Sequence, residues 1–477
     1  MFLYKRGMQM TDEVALKPSM YEKLQDKIFC YMSMGLLVLL PVIEVVFEFL
    51  RKFKVGSFKR FTPSKYQAHI IKYFAIVLTV FIIITFVMRI IKGFKLYVAD
   101  IFYVTLTVFM ILSMIFSVNR GVFAGGSEYY CEWPTHFLCY YGLFYAGSMI
   151  KDPQLRKRLM YSLVFVALLE GVIAYFQTFD WEITYCLFRD DRVSKTTYGT
   201  CQNTNFYGTL STVLTAVTAG LFIFSKKLFK SQVFKWIIYA VSLLVFYTLL
   251  ASQARLAWLG VIGLIFTYVV SLLVMRKKSN IDKETFRDIT NGCLVIAIGY
   301  LMVMIITVMC TPYIVSRVEY TASNDVADLL TGDEGFGSGR GWIWKVALYA
   351  TKNHPLTGIG LDNLGQAFRE MPTYIEGVSR VQDKGHNEYI HTLATQGIPA
   401  LINYLALLVY SVTGAVKAII NEKDEEKRSI LWICLGVVAA YLAQALLSSS
   451  VMNVAIYFWI FLGLITPRTK AVSFKKR

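Results

Sequence analysis

His386 stands in Gly385-His386-Asn387-Glu388, where a helix-like pattern begins. At a helix N-terminus the macrodipole disfavours an imidazolium and keeps the ring neutral, which a general base working near neutral pH requires. The same place also suits an interfacial histidine that only caps a helix. Two arginines are the other chemical candidates. Arg255, in Ser252-Gln253-Ala254-Arg255-Leu256-Ala257-Trp258, occupies a very tight turn between two apolar runs. An arginine at a membrane boundary is costly unless it snorkels to the headgroups or meets an anion, and both readings stay open for Arg255. Arg340, in Gly337-Ser338-Gly339-Arg340-Gly341-Trp342, opens a helix behind a glycine-rich turn. There the backbone amides can approach a phosphate and the helix start favours anions.

Other chemistries are disfavoured by residue type and spacing. His386 and His391 are five residues apart, about 140° around a helix, so they cannot share a zinc as the HExxH pattern does. His354 precedes Pro355 at a turn and reads as structural, while His69 and His136 lie beside the starts of apolar runs. Nine acidic residues between Asp325 and Glu388, among them Asp362, Glu376 and Asp383, form no DxD pair and read mostly as a solvated face. Beside two arginines, this favours neutralising a diphosphate by guanidinium rather than by Mg²⁺, with no metal and no cofactor. The eight cysteines contain no CxxC pair, so no zinc or redox motif is indicated; Cys186 and Cys201 fall in one expected loop and could pair there.

What must position these residues is a membrane bundle. Of 477 residues, 56% are hydrophobic, and the mean hydropathy is +0.50. Runs of about 20 apolar residues, the length that crosses a bilayer, recur along the chain. They lie near 28–50, 73–91, 98–117, 135–150, 159–178, 206–224, 236–253, 256–275, 290–310, 397–416, 430–448 and 453–466. The expected fold is therefore an all-α polytopic membrane protein of about 12 transmembrane helices. Its parts are a cytoplasmic segment 1–27, helices one to nine over 28–310, a large extracytoplasmic catalytic loop 311–396, helices ten to twelve over 397–466, and a basic cytoplasmic tail 467–477. The net charge of +17 is gathered in short clusters at the ends of apolar runs, which speaks for topology rather than nucleic acid. Both termini are then cytoplasmic. Residues 51–72 carry seven basic residues yet fall outside in this scheme, and Pro41 and Glu44 leave open a re-entrant first span. Within the long loop, 341–349 reads as a Trp-rich interfacial helix stopped by Asn353-His354-Pro355. A second helix runs from Asn387 to Gln396, with Gly397 as its cap and Pro399 in the first turn of the next span.

These residues also resemble a known family, the bacterial O-antigen ligase and O-antigen polymerase superfamily, over most of the chain. The resemblance rests on His386-Asn387 followed after nine residues by Gly397, which fits the loop signature H-[NSQ]-x9-G; on Arg340 ahead of Trp342 and Trp344; on His354-Pro355-Leu356-x-Gly358-x-Gly360; on Gly199-Thr200-Cys201-Gln202-Asn203-Thr204-Asn205; and on Arg255. Three residues after the motif glycine this chain has Ala400, where some members carry Thr, Gly or Tyr. The resemblance implies a glycosyltransferase of the bacterial plasma membrane with its active site facing outward. It would move a glycan from an undecaprenyl-diphosphate carrier to an acceptor hydroxyl on a surface glycan or glycolipid, inverting and metal-independent. His386 would be the base, and Arg255 and Arg340 would hold the diphosphate. Asn387 and Gly397 would shape the loop, and Asn203 and Asn205 would either line the sugar site or turn the chain into span six. A polytopic transporter or flippase of lipid-linked glycans is the competing reading. Against it, the spans contain few charges beyond Glu44 and Glu170, where a transporter places ionisable groups at mid-membrane.

Overall fold

A computed structural model describes residues 20–52, 63–92, 95–119, 132–179, 197–278, 281–310, 331, 336–372 and 381–473. The elements that follow are those of the described residues. Each of the twelve apolar runs falls on a helix: α1 (Met20–Lys52), α2 (Pro63–Ile91), α3 (Val98–Ile115), α4 (Pro134–Met149), α5 (Pro153–Gln177), α6 (Thr204–Ile223), then after the short α7 (Ser225–Leu228), α8 (Gln232–Ala251), α9 (Arg255–Lys278) and α10 (Lys283–Cys310). Two helices of the long loop, α11 (Phe336–Asn353) and α12 (Leu364–Glu370), precede α13 (Glu388–Asn421), α14 (Glu425–Ala445) and α15 (Met452–Ile465). Ordinary capping chemistry sets several starts. Asp152, Asn203, Ser231 and Asp424 each accept backbone N–H groups of the first turn, and Pro153 sits where its missing N–H costs nothing.

Ten helices are long and apolar enough to cross a bilayer. The other two of the twelve, α4 with 16 residues and α15 with 14, lie together in the middle of the bundle. Their backbones nearly touch: a Cβ on Gly147 would lie 2.4 Å from the carbonyl oxygen of Ile460, and one on Gly463 2.2 Å from that of Phe144. Residues 139–150 and 454–466 are buried throughout. A helix walled in by protein has no lipid thickness to match, which accounts for the shorter length. The helices with the most open faces, α2, α9 and α10, expose Ile83, Phe266 and Met302 among many apolar side chains, as a surface solvated by lipid does.

The bundle has two chemically different ends. One gathers basic side chains, held by Lys157–Glu426 at 2.6 Å, Lys226–Asp288 at 2.7 Å and Arg468–Asp100 at 3.0 Å. There β1 (Lys95–Tyr97) pairs antiparallel with β2 (Lys470–Ser473). The other end carries the start of α4 and the loop helices. Helix α1 continues unbroken through Pro41, and the buried Glu44 accepts a hydrogen bond from Gln202. Residues 53–62, 311–330, 332–335 and 373–380, with Asp325, Asp328, Asp333, Glu334 and Glu376, lie outside the described residues, as do Cys131 and Cys186. Cys201 is buried and free.

The loop helices carry a core of their own. Ile343, Val346 and Ala350 of α11 pack with Ile359, with Phe368 of α12 and with Ala394 of α13. The segment is thus a small folded body seated on one membrane helix.

Candidate active site

The seat is a contact between two backbones. Ile359 N–H donates to Ala394 O at 3.0 Å, Gly360 N–H to Thr395 O at 3.1 Å, and Ile398 N–H to Pro355 O at 2.8 Å. The strip after His354 therefore pairs with α13 where that helix breaks, at Gly397 with φ 88° and ψ 173°. Both glycines at the crossing are needed for space as well as for conformation. A Cβ on Gly397 would lie 2.5 Å from the carbonyl carbon of Leu356, and one on Gly358 (φ 66°) 2.3 Å from that of Thr395. Ser113 Oγ of α3 closes the arrangement by donating to Thr395 O at 2.7 Å. The two glycine motifs read separately along the chain are the two sides of one joint.

One helical segment N-terminal to that joint, His386 is fixed by its neighbours. Lys384, 1% exposed, is ion-paired with Glu132 ahead of α4 and lies 3.6 Å from Asp362 ahead of α12. Gly385 O accepts from Trp344 Nε1 of α11 at 3.0 Å, and Gly385 N–H donates to His391 Nδ1 at 3.3 Å. Asn387 caps α13 through Tyr389 N–H and Ile390 N–H, each at 3.0 Å, while its Nδ2 donates to Leu446 O beyond α14. Residues on either side of His386 are thus tied to four different parts of the fold, and His386 itself takes the left-handed φ of 46°. That conformation costs an L-residue roughly 1–2 kcal/mol, which the surrounding anchors offset.

The charge of Arg340 is felt at His386, and that of Arg255 at Arg340. Burial first, and then the charge of Arg340, lower the His386 pKa to about 4, so the ring is neutral at pH 7. Arg340 is lowered to about 10 by burial and by the charge of Arg255, and it remains a cation. Its Nη1 donates to Gly337 O at 3.0 Å across the turn formed by Gly337 (φ 60°) and Gly339 (φ 93°), and its Nε is buried with no hydrogen-bond acceptor among the described residues. Arg255 is the first residue of α9, directly after a turn in which Gln253 has φ 55°. Two cations and a neutral imidazole held together can receive an anion and accept a proton. Among the described residues, no group of three His, Cys, Asp or Glu side chains could hold a metal ion.

The remaining candidates have structural settings of their own. Asn203 is the N-cap of α6, its Oδ1 accepting from Asn205 N–H at 2.8 Å, and Asn205 is exposed. The loop ahead of it is anchored by the two buried carboxylates of the spans: Glu170 accepts from Thr200 N–H at 3.0 Å and from its hydroxyl, and Glu44 accepts from Gln202. Two acidic residues read from the sequence as solvated are not: Asp362 is 6% and Glu388 5% exposed. Glu388 accepts from Tyr404 at 2.8 Å and from Tyr441 of α14 at 2.7 Å, so a carboxyl group at the helix start binds one hydroxyl from beyond the kink and one from the neighbouring helix. The residue missed altogether is Lys384. Nothing in a lone lysine between Asp383 and Gly385 shows that its partners lie 252 and 22 residues away.

The O-antigen ligase family model matches residues 240–405, about a third of the chain. That span takes in Arg255, Arg340, the His354 strip, His386, Asn387 and Gly397, and leaves out residues 199–205. A search of curated proteins found no match. The resemblance to the O-antigen ligase and polymerase superfamily thus stands on a family match as well as on motifs.

Lys384→Met would take its cation from the buried Glu132 and is expected to destabilise the protein by about 3–5 kcal/mol. Adding Glu132→Gln should recover part of that loss. Thermal unfolding of the purified chain in detergent reads both, and a single substitution without effect would contradict the anchoring role of Lys384.

Proposed function

We propose that this O-antigen ligase-like membrane protein transfers a glycan from an undecaprenyl-diphosphate carrier to an acceptor hydroxyl, with inversion and without a metal. The observation that carries the reading is the neutral His386 within the field of Arg340, which in turn feels Arg255 and keeps a buried N–H donor without an acceptor among the described residues. Arg255 and Arg340 bind the diphosphate. His386 takes the proton of the acceptor hydroxyl as its oxygen attacks the anomeric carbon from the face opposite the diphosphate. The bond from that carbon to the phosphate oxygen breaks, and its electron pair stays on the lipid diphosphate. Because that leaving group gains charge as the bond opens, preorganised guanidinium groups stabilise the transition state more than the bound donor.

The same geometry makes the base respond to the donor. In the free protein burial and Arg340 together leave His386 weakly basic. A bound diphosphate neutralises the field of Arg340 and moves the imidazole pKa upward, so the base gains strength when there is something to transfer. The positive-inside rule puts the basic end of the bundle in the cytoplasm and the His386 end outside, at the outer face of the plasma membrane. There the acceptor is a surface glycan or glycolipid.

His386→Ala should abolish surface glycan in the native host while the protein remains at its normal level in the membrane; undiminished glycan would contradict the assignment. Sizing the lipid-linked glycans that accumulate then separates the two activities of the superfamily, since single repeat units mark a polymerase and long chains a ligase. The pH dependence offers a second check. Activity requires the neutral ring, so kcat/KM, which reports the free protein, should rise with pH through about 4 and be level by pH 6.5. The corresponding limb in kcat should lie at higher pH, because the donor is then bound. Coincident limbs would exclude the coupling between donor and base.

A further inference from the structure

The proposed chemistry makes no use of a polar cavity of about 260 Å³ at the basic end of the bundle. It lies among the N-terminal turns of α1, the last turn of α2, the β1 strand, and the junction of α4 and α5. Counted along α3, Asp100 behind this cavity is 13 residues from Ser113 at the α13 joint, roughly 20 Å of helix. It is not part of the site around His386.

Among the described residues, its lining brings together more cations than carboxylates and one orphaned donor. Arg89 and Arg468 reach the cavity and share one fully buried carboxylate, Asp100, at 2.7 and 3.0 Å. Lys92 adds an ammonium that lies over the Tyr21 ring, 4.0 Å from its centre. Lys151 lies 3.7 Å from Glu22, a pair in which both side chains are about half exposed and which is correspondingly weak. Asp26 also lines the cavity, but its Oδ2 accepts the backbone N–H groups of Lys151 and Asp152 at 3.0 and 3.3 Å. Finally Gln25, 6% exposed, lines the same space with a buried Nε2 that has no hydrogen-bond partner. Among the described residues, four cations against three carboxylates, with an orphaned amide donor among them, suit an oxygen-rich anion of small size.

We propose that this cavity binds a phosphate group, delivered either by the headgroup of an anionic phospholipid of the adjacent leaflet or as a soluble phosphate. Bound there, the phosphate accepts from Gln25 Nε2, pairs with Lys92 and Lys151, and ties the ends of α1, α2 and α5 to the C-terminal segment that carries Arg468. Lys92 and Lys151 are the residues to change, because both are exposed and neither holds the fold as the arginines on Asp100 do.

The full-length protein would be reconstituted in vesicles of equal phosphatidylglycerol and phosphatidylcholine, extracted, and its retained lipid measured by native mass spectrometry. In parallel, inorganic phosphate would be titrated against thermal unfolding in phosphatidylcholine nanodiscs. The paired substitution Lys92→Gln/Lys151→Gln is compared with Lys230→Gln/Lys423→Gln, two exposed lysines outside the cavity. Retention of phosphatidylglycerol by the wild type, weakened about tenfold or more in the first variant and unchanged in the second, identifies a lipid phosphate. Stabilisation by inorganic phosphate, lost in the same variant and with no lipid retained, identifies a soluble one. Equal behaviour of the wild type and Lys92→Gln/Lys151→Gln towards both probes would overturn the proposal, as would an equal loss in the control variant.

Discussion

The crossing of two backbones at Gly358 and Gly397 is the constraint on which the candidate site depends. The peptide groups of 355–360 lie against those of 394–398, closer than any side chain would permit, and three hydrogen bonds between them replace those that α13 loses at its break. Without that break the segment from Glu388 would continue straight into the membrane helix and carry His386 on a rigid extension of it. With it, the first two turns of α13 become part of the loop body, packed through Ala394 on the core of α11 and α12.

The second constraint is electrostatic. A loop that must present a strained histidine is fastened by a buried ion cluster, with Lys384 between Glu132 and Asp362, rather than by apolar packing alone. Buried ion pairs add little net stability against an apolar alternative, but they penalise misplacement strongly, because each partner left alone is an uncompensated charge. That property suits a site where position matters more than stability. The cluster joins the start of α4, the turn ahead of α12 and the His386 loop, so the same lysine links the membrane bundle to the body above it.

The bundle was legible in the sequence because the hydrocarbon imposes a length and a composition on whatever crosses it, and all twelve apolar runs fall on helices. The ends were less so. Helix α2 begins at Pro63 rather than near 73, because a helix continues past the hydrocarbon wherever polar residues still favour it, whereas the expected helix from Asn387 to Gln396, capped at Gly397, is the first part of α13 up to its break. His386, Arg255 and Arg340 stood out since each is an ionisable group in a local setting that needs explaining. The residues that hold them did not. Lys384, Glu132, Asp362 and Glu388 have ordinary surroundings along the chain, and their burial follows only from which segments meet in space. The glycines of the His354 strip and Gly397 were visible as motifs, but that each exists to admit the other's backbone is a fact of three dimensions.

The account's central claim is a division of labour in which the arginines hold the diphosphate and the histidine moves the proton. Affinity for a short polyprenyl diphosphate, measured on the purified wild type and on Arg255→Ala, Arg340→Ala and His386→Ala, tests it directly. Both arginine substitutions should weaken binding by about tenfold or more, in line with the loss of a charge-assisted contact, and His386→Ala should bind as well as the wild type while forming no glycosidic bond. Arginine variants that bind like the wild type, or a His386→Ala protein that still transfers glycan, would contradict it.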